Sequence, residues 1–143
     1  MSTTLSPDVI EIIASTRPLL VEHGAAITKR FYERVFLRYP EVKSMFSSPG
    51  EAQESKLAVA ILAYVDNIER LDALLPAVER IAAAHVKAGV QADHYPIVGA
   101  ELLGAMADVL GVLDIEVVDA WAAAYGVLAD VFIEVEAGLV EAA

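Results

Sequence analysis

The sequence predicts an all-α domain, and three observations carry that prediction. Apolar residues recur every three or four positions along most of the chain, the period of a helix with one buried face. No useful stretch alternates apolar and polar residues with a period of two, so half-buried strands are not expected. The hydrophobic fraction is 57%, much of it Ala, Val, Leu and Ile, which suits closely approaching helices.

The elements follow in order from start and stop signals. Ser6-Pro7-Asp8 offers a cap, a first-turn proline and an acid near the positive helix end. The first helix is expected to run toward His23-Gly24, perturbed at Pro18. A second carries Ile27, Phe31, Tyr32, Val35 and Phe36 and must end before Pro40. PEVKSMF (40–46) allows one or two turns. Ser47-Ser48-Pro49-Gly50 makes a corner, with Ser48 and Glu51 at capping-box spacing.

The next helix is expected from about Glu51 to Glu69, with Leu57, Ile61, Tyr64, Val65 and Ile68 on one face. Asp72 is the expected cap of a helix bearing Leu75, Val78, Ile81 and His85, and Gly89 its left-handed terminator. Asp93 opens another helix ending near Gly111. Asp114 opens the last and longest, with Val117, Trp121, Leu128, Phe132 and Val135 inward. With no internal repeat and no low-complexity linker, residues 1–143 read as one domain.

Composition removes several function classes. Ten basic against 21 acidic residues give a formal charge of −11, with no Lys/Arg cluster to displace counterions from phosphates. Neither nucleic acid nor an anionic membrane surface is an expected partner. The absence of cysteine excludes disulfides, thiolate metal sites and covalent c-type haem attachment. The N-terminus lacks the pattern of a secretory signal. The longest apolar run, Leu57 to Val65, is about half of the roughly 20 residues a bilayer span needs. A soluble, cytoplasmic protein is expected, with no membrane insertion.

The most informative residue is His85. Three alanines precede it and Gly89 closes its helix one turn later, so the neighbouring surface carries little side-chain bulk. A large flat ligand could lie there with the imidazole directed into it, and haem held by one histidine is the simplest chemistry of that kind. A core histidine satisfied by a carbonyl fits the same residue. His23 and His94 have no partner at i, i+4, so a zinc site is not expected, and both read as structural or exposed.

Three strings reach further: FYERVFLRYPEVKSMF (31–46), NIERLDALLPAVERIAAAHVKAG (67–89) with HYPIVGAELLGA (94–105), and DAWAAAYGVLADVFIEVEA (119–137). They closely resemble, in order and over essentially the whole chain, the globin domain of bacterial flavohaemoglobins and the related single-domain bacterial haemoglobins. The resemblance implies a globin fold, helices packed around a haem pocket, with haem b held non-covalently. It assigns His85 as the proximal iron ligand, supported by Tyr95 and Glu136. A carboxylate behind the imidazole fixes its tautomer and raises its basicity, which favours oxygen activation over simple carriage. On the other side of the ring it gives Tyr32 a hydroxyl directed at the bound gas and Gln53 a second donor, with Leu57 as an apolar wall. Phe46 is the corner phenylalanine that wedges the haem. Ile61, Ile81, Val98, Leu102, Tyr125 and Leu128 occupy haem-lining positions, each of which is also an ordinary core position.

The chain departs from the family pattern twice. Ser47 to Ala52 is shorter than the family's corner, which bears on how Gln53 faces the ligand. Ala84 replaces a lysine often found before the proximal histidine. No glycine-rich dinucleotide loop occurs, so no FAD- or NAD-binding reductase domain is expected within these residues. The implied function is a globin that binds O2, NO and CO at ferrous iron. Nitric oxide dioxygenase activity would draw electrons from an external flavin or iron–sulfur reductase. A non-enzymatic oxygen-binding or delivery protein is the alternative. A third reading is a haem-based sensor or a helical interaction module with a vestigial pocket; the module would have no need of His85 and Phe46 together. Relatives suggest a homodimer.

Overall fold

A computed structural model describes residues 5–45, 51–111 and 113–142. Six α-helices account for most of them: α1 (Pro7–Ser15), α2 (Arg17–Arg38), α3 (Glu51–Asp66), α4 (Leu75–Ala88), α5 (His94–Leu110) and α6 (Ile115–Ala142). Short 3-10 turns at Pro40–Met45 and Leu71–Leu74 join them, and no strand occurs among the described residues.

Ser6 caps α1 as its sequence predicts, accepting the Val9 N–H at 3.3 Å. The first break, however, falls at Thr16 rather than at His23-Gly24. Pro18 has no N–H to give Ala14, and it serves instead in the first turn of a new helix, where that bond is not required. The Thr16 hydroxyl donates to the Ile13 carbonyl at 2.6 Å and accepts from Trp121 Nε1 at 3.2 Å, docking the break onto α6. Gly24 simply continues α2.

α3 stops at Asp66, short of Glu69. The Asn67 amide bonds the Ala63 carbonyl at 2.8 Å, taking a helix-end acceptor and leaving the chain to tighten into turns. Asp72 does not cap α4 through its side chain. It lies within the 3-10 turn, where its carbonyl receives the Leu75 N–H, and Leu75 itself is exposed. Asp93 heads α5 without a side-chain cap bond. Gly89 ends α4 at φ 90° and ψ 17°, as expected of a left-handed terminator. The Ser48–Glu51 capping box lies outside the described residues.

α2 packs against α5 and α3, while α6 receives α1, α4 and α5. The buried residues form two clusters. The larger joins α1, α2, α3, α5 and α6 through Ile13, Leu20, Phe31, Tyr64, Met106 and Trp121. The smaller holds Val78 and Ala82 of α4 against Tyr95, Ala129 and Phe132. An ion-paired seam reinforces α2 on α5. Arg34 bonds both Glu101 and Asp108 at 2.9 Å, and Arg30 reaches Asp108 at 2.8 Å. Gly104 makes this possible, since a Cβ there would overlap the Arg34 guanidinium. No helix among the described residues is long and apolar enough to cross a membrane.

Candidate functional site

His85 stands in the last turn of α4, where Val90 N–H caps its carbonyl at 2.9 Å beyond the left-handed Gly89. Its Nδ1 lies 2.9 Å from Glu136 Oε2 and 3.0 Å from Tyr95 Oη. Tyr95 Oη donates to that same Glu136 oxygen at 2.6 Å. Proton accounting then fixes the imidazole tautomer. The tyrosine proton goes to the carboxylate, so both contacts at Nδ1 require Nδ1–H as donor. In the neutral ring, Nε2 is then the nitrogen with a lone pair for a ligand.

Three helices supply this group. Tyr95 opens α5 and is held from behind by Tyr125 of α6, whose hydroxyl donates to the Tyr95 carbonyl at 2.7 Å. The Tyr125 ring can lie that close because Gly99 offers no side chain; a Cβ there would stand 2.7 Å from Cε2. Burial first, and then the Glu136 hydrogen bond and charge, push the Tyr95 phenol well above the usual tyrosine range. Burial likewise raises Tyr125. The Glu136 side chain is 9% exposed, whereas the His85 side chain keeps 34% of its surface open. The carboxylate is enclosed and the imidazole is presented.

These residues fit a haem. The donor set is one imidazole whose rear nitrogen is tied to a carboxylate, a familiar arrangement for histidine bound to metal. The apolar surroundings agree. α3 and α4 do not pack closely on each other among the described residues. Leu57 and Ile61 of α3, like Ile81 of α4, are only partly covered although each packs on core. Val98, Tyr125 and Leu128 are half-buried in the same way. No cluster of three or more His, Asp or Glu suited to a bare metal ion occurs among the described residues.

The residues singled out by sequence divide accordingly. His85, Tyr95 and Glu136 come together directly, with Ile81 and Tyr125 packed on their cluster. Leu57, Ile61, Val98 and Leu102 belong to the larger cluster, and Leu128 touches both. Tyr32 is buried in the larger cluster, edge-on to Phe31 at 4.9 Å between ring centroids and 5.7 Å from Phe36. Phe46 lies outside the described residues. Gln53 belongs to α3, but its side chain is likewise outside them. His94 is structural, its Nδ1 accepting the Gln91 N–H at 2.9 Å, and His23 is part-exposed beside Glu22.

One neighbour of the imidazole escaped the sequence reading. Phe132 was expected only as an inward residue, yet its ring centroid lies 5.5 Å from that of His85. The available signal was its place one turn before Glu136, on the same face of the last helix.

Comparison with known proteins bears on the family and the fold. The globin family model matches residues 29–132. A flavohemoprotein of Bordetella parapertussis is 46% identical over 143 residues, covering 97% of this chain. One from Bacillus anthracis is 45% identical over 142 residues, again covering 97%. The chain spans only 36% and 35% of the lengths of those two relatives. Among solved structures, a bacterial globin from Campylobacter jejuni superposes with a TM-score of 0.88 at 39% identity, covering 95% of this chain and 99% of that one. An engineered carbene transferase, made from a Rhodothermus marinus protein described provisionally as a nitric oxide dioxygenase, gives 0.92 at 38% identity, with coverage of 97% and 98%. The flavohemoglobin of Malassezia yamatoensis, solved with bound FAD and heme, gives 0.83 at 26% identity over 96% of this chain and 38% of that one.

Proposed function

This chain belongs to the globin family, and from that premise we propose that it binds haem b and O2 and consumes nitric oxide with electrons from a reductase. Haem and oxygen binding rest on the family and on the His85 arrangement together. The dioxygenase activity is the further step. The chemistry that bound haem supplies is coordination of diatomic gases and one-electron exchange.

The protein's own residues do the rest. His85 would hold the iron through Nε2, and its Nδ1–H points at Glu136 Oε2, 2.9 Å away. The negative acceptor makes the imidazole a stronger electron donor than a neutral carbonyl would. Tyr95 orients the carboxylate, and Tyr125 orients Tyr95. Leu57, Ile61, Ile81, Val98, Leu102 and Leu128 would give a bound haem apolar surroundings that keep water away. The resemblance assigns Tyr32 and Gln53 the hydrogen bonds to the bound gas, where a donor stabilises developing negative charge. The net reaction joins one NO, one O2 and one electron to give one nitrate. The electron source is read as a flavin or iron–sulfur reductase, on the precedent of the FAD- and heme-containing relative.

The observation that carries this reading is the 2.9 Å contact between His85 Nδ1 and Glu136 Oε2. The test is multiple-turnover NO consumption by the haem-loaded protein with a flavin or ferredoxin-type reductase and its reductant. Sustained turnover that drops in a Tyr32→Phe, Glu136→Gln double variant is the expected result. A single stoichiometric burst, identical in both proteins, would favour a non-enzymatic oxygen-binding or delivery globin.

A further inference from the structure

The geometry points to Phe132 as a positioning residue that sets the rotational orientation of the His85 imidazole. This rests on the reading of His85 as a haem ligand. The contacts of Nδ1 with Glu136 and Tyr95 fix where that nitrogen points, but they put no surface against the plane of the ring. Something must therefore bear on the ring itself. The helix carrying His85 offers no flat surface for this, since Ala82, Ala83 and Ala84 precede it and Ile81, one turn before, is aliphatic. Phe132 supplies the surface from α6, its centroid 5.5 Å from the imidazole with the planes 37° apart. It is itself held by near-parallel stacking on Tyr95, 23° between planes and 6.2 Å between centroids.

Phe132 is 8% exposed and belongs to the buried cluster beside α4, so it has little room to move. It lies one turn before Glu136 on the same helix. One face of α6 thus presents a flat wall and, one turn on, the acceptor for Nδ1–H. Two points of contact define the ring where one would not. The orientation of a proximal imidazole governs its overlap with the iron orbitals, so the wall tunes the iron–histidine bond without touching iron.

The test compares wild type, Phe132→Leu and Phe132→Tyr in haem-loaded ferrous protein. Thermal unfolding and the iron–histidine stretching band in resonance Raman are both measured. Leucine keeps an apolar filler but loses the flat face; tyrosine keeps it. The expected result is a band shifted or broadened in Phe132→Leu and superimposable on wild type in Phe132→Tyr, whatever the order of melting temperatures. A Phe132→Leu band identical to wild type would overturn the inference and leave Phe132 as core filler. If Phe132→Leu fails to take up haem, the ring 15N resonances of His85 in the haem-free variants decide. Wild-type shifts and line widths in Phe132→Leu would overturn the inference, and averaged or broadened ones would support it. Failure of the wild type to bind haem, by contrast, would defeat the underlying reading.

Discussion

Tyr95 and His85 converge on a single carboxylate oxygen, Glu136 Oε2, at 2.6 Å and 2.9 Å. That oxygen orients two donors from two helices, so its charge governs the behaviour of the imidazole. Replacing Glu136 by Gln keeps the shape and removes the charge. The haem midpoint potential is expected to rise by about 60 mV, a tenfold change for a one-electron couple. NO consumption should fall roughly tenfold, the lower end of what such outer partners contribute. Spectroelectrochemical titration of the two proteins checks this.

Gly99 and Gly24 make a paired prediction. Gly99→Ala drives a methyl against the Tyr125 ring, whose displacement costs the 2.7 Å bond to the Tyr95 carbonyl. A loss of about 1–3 kcal/mol is expected from overpacking. Gly24 lies inside α2 with nothing within 4 Å of a built Cβ. Gly24→Ala should therefore stabilise by about 0.5–1 kcal/mol, the usual helix-interior gain. Urea unfolding of both variants gives the signs directly.

The Arg34–Glu101 pair is the most enclosed ion pair of the α2–α5 seam, Glu101 being 3% exposed. Arg34→Met strands that carboxylate, leaving Arg38 at 3.7 Å as its remaining cation among the described residues. A destabilisation of about 3 kcal/mol is expected, as for a broken buried pair. Adding Glu101→Leu should recover most of it, which a double-mutant cycle in urea measures.

Alkaline stability follows from the buried phenols. Burial pushes Tyr64 up to about 12, and Tyr95 and Tyr125 move in the same direction. An unfolded tyrosine ionises near about 10, so the folded state holds these protons more tightly. Their contribution is fully present below the unfolded value and is lost as pH rises through the folded ones. Stability should stay level to about pH 10 and decline toward pH 12. Tyr64→Phe should flatten part of that decline, as read by urea midpoints across the range.

Much of this architecture was legible because its signals are local. Ser6 capping, the left-handed Gly89 and the apolar faces of α3 and α6 depend only on neighbours along the chain. The misplaced boundaries arose where two signals competed. Pro18 could perturb a helix or begin one, and the docking of Thr16 on Trp121, remote in sequence, favours the latter. Asp72 has a cap's chemistry, but the 3-10 turn places it too early. At the site, His85, Tyr95 and Glu136 were legible only through long matching strings, because residues 10 and 51 positions apart share no spacing rule. Phe132 was hidden because inward phenylalanines have one sequence signature whether they face a core or a functional ring.

We hold that His85 binds haem iron with Glu136 behind it. This is tested most directly by absorption spectra of the ferric, ferrous and ferrous-CO forms of wild type and His85→Ala, both produced with ample haem precursor. Haem is expected in the wild type with a histidine-ligated ferrous spectrum, lost in a His85→Ala protein that retains its helical circular dichroism. Colourless wild-type protein, or an alanine variant with unchanged spectra, would contradict it.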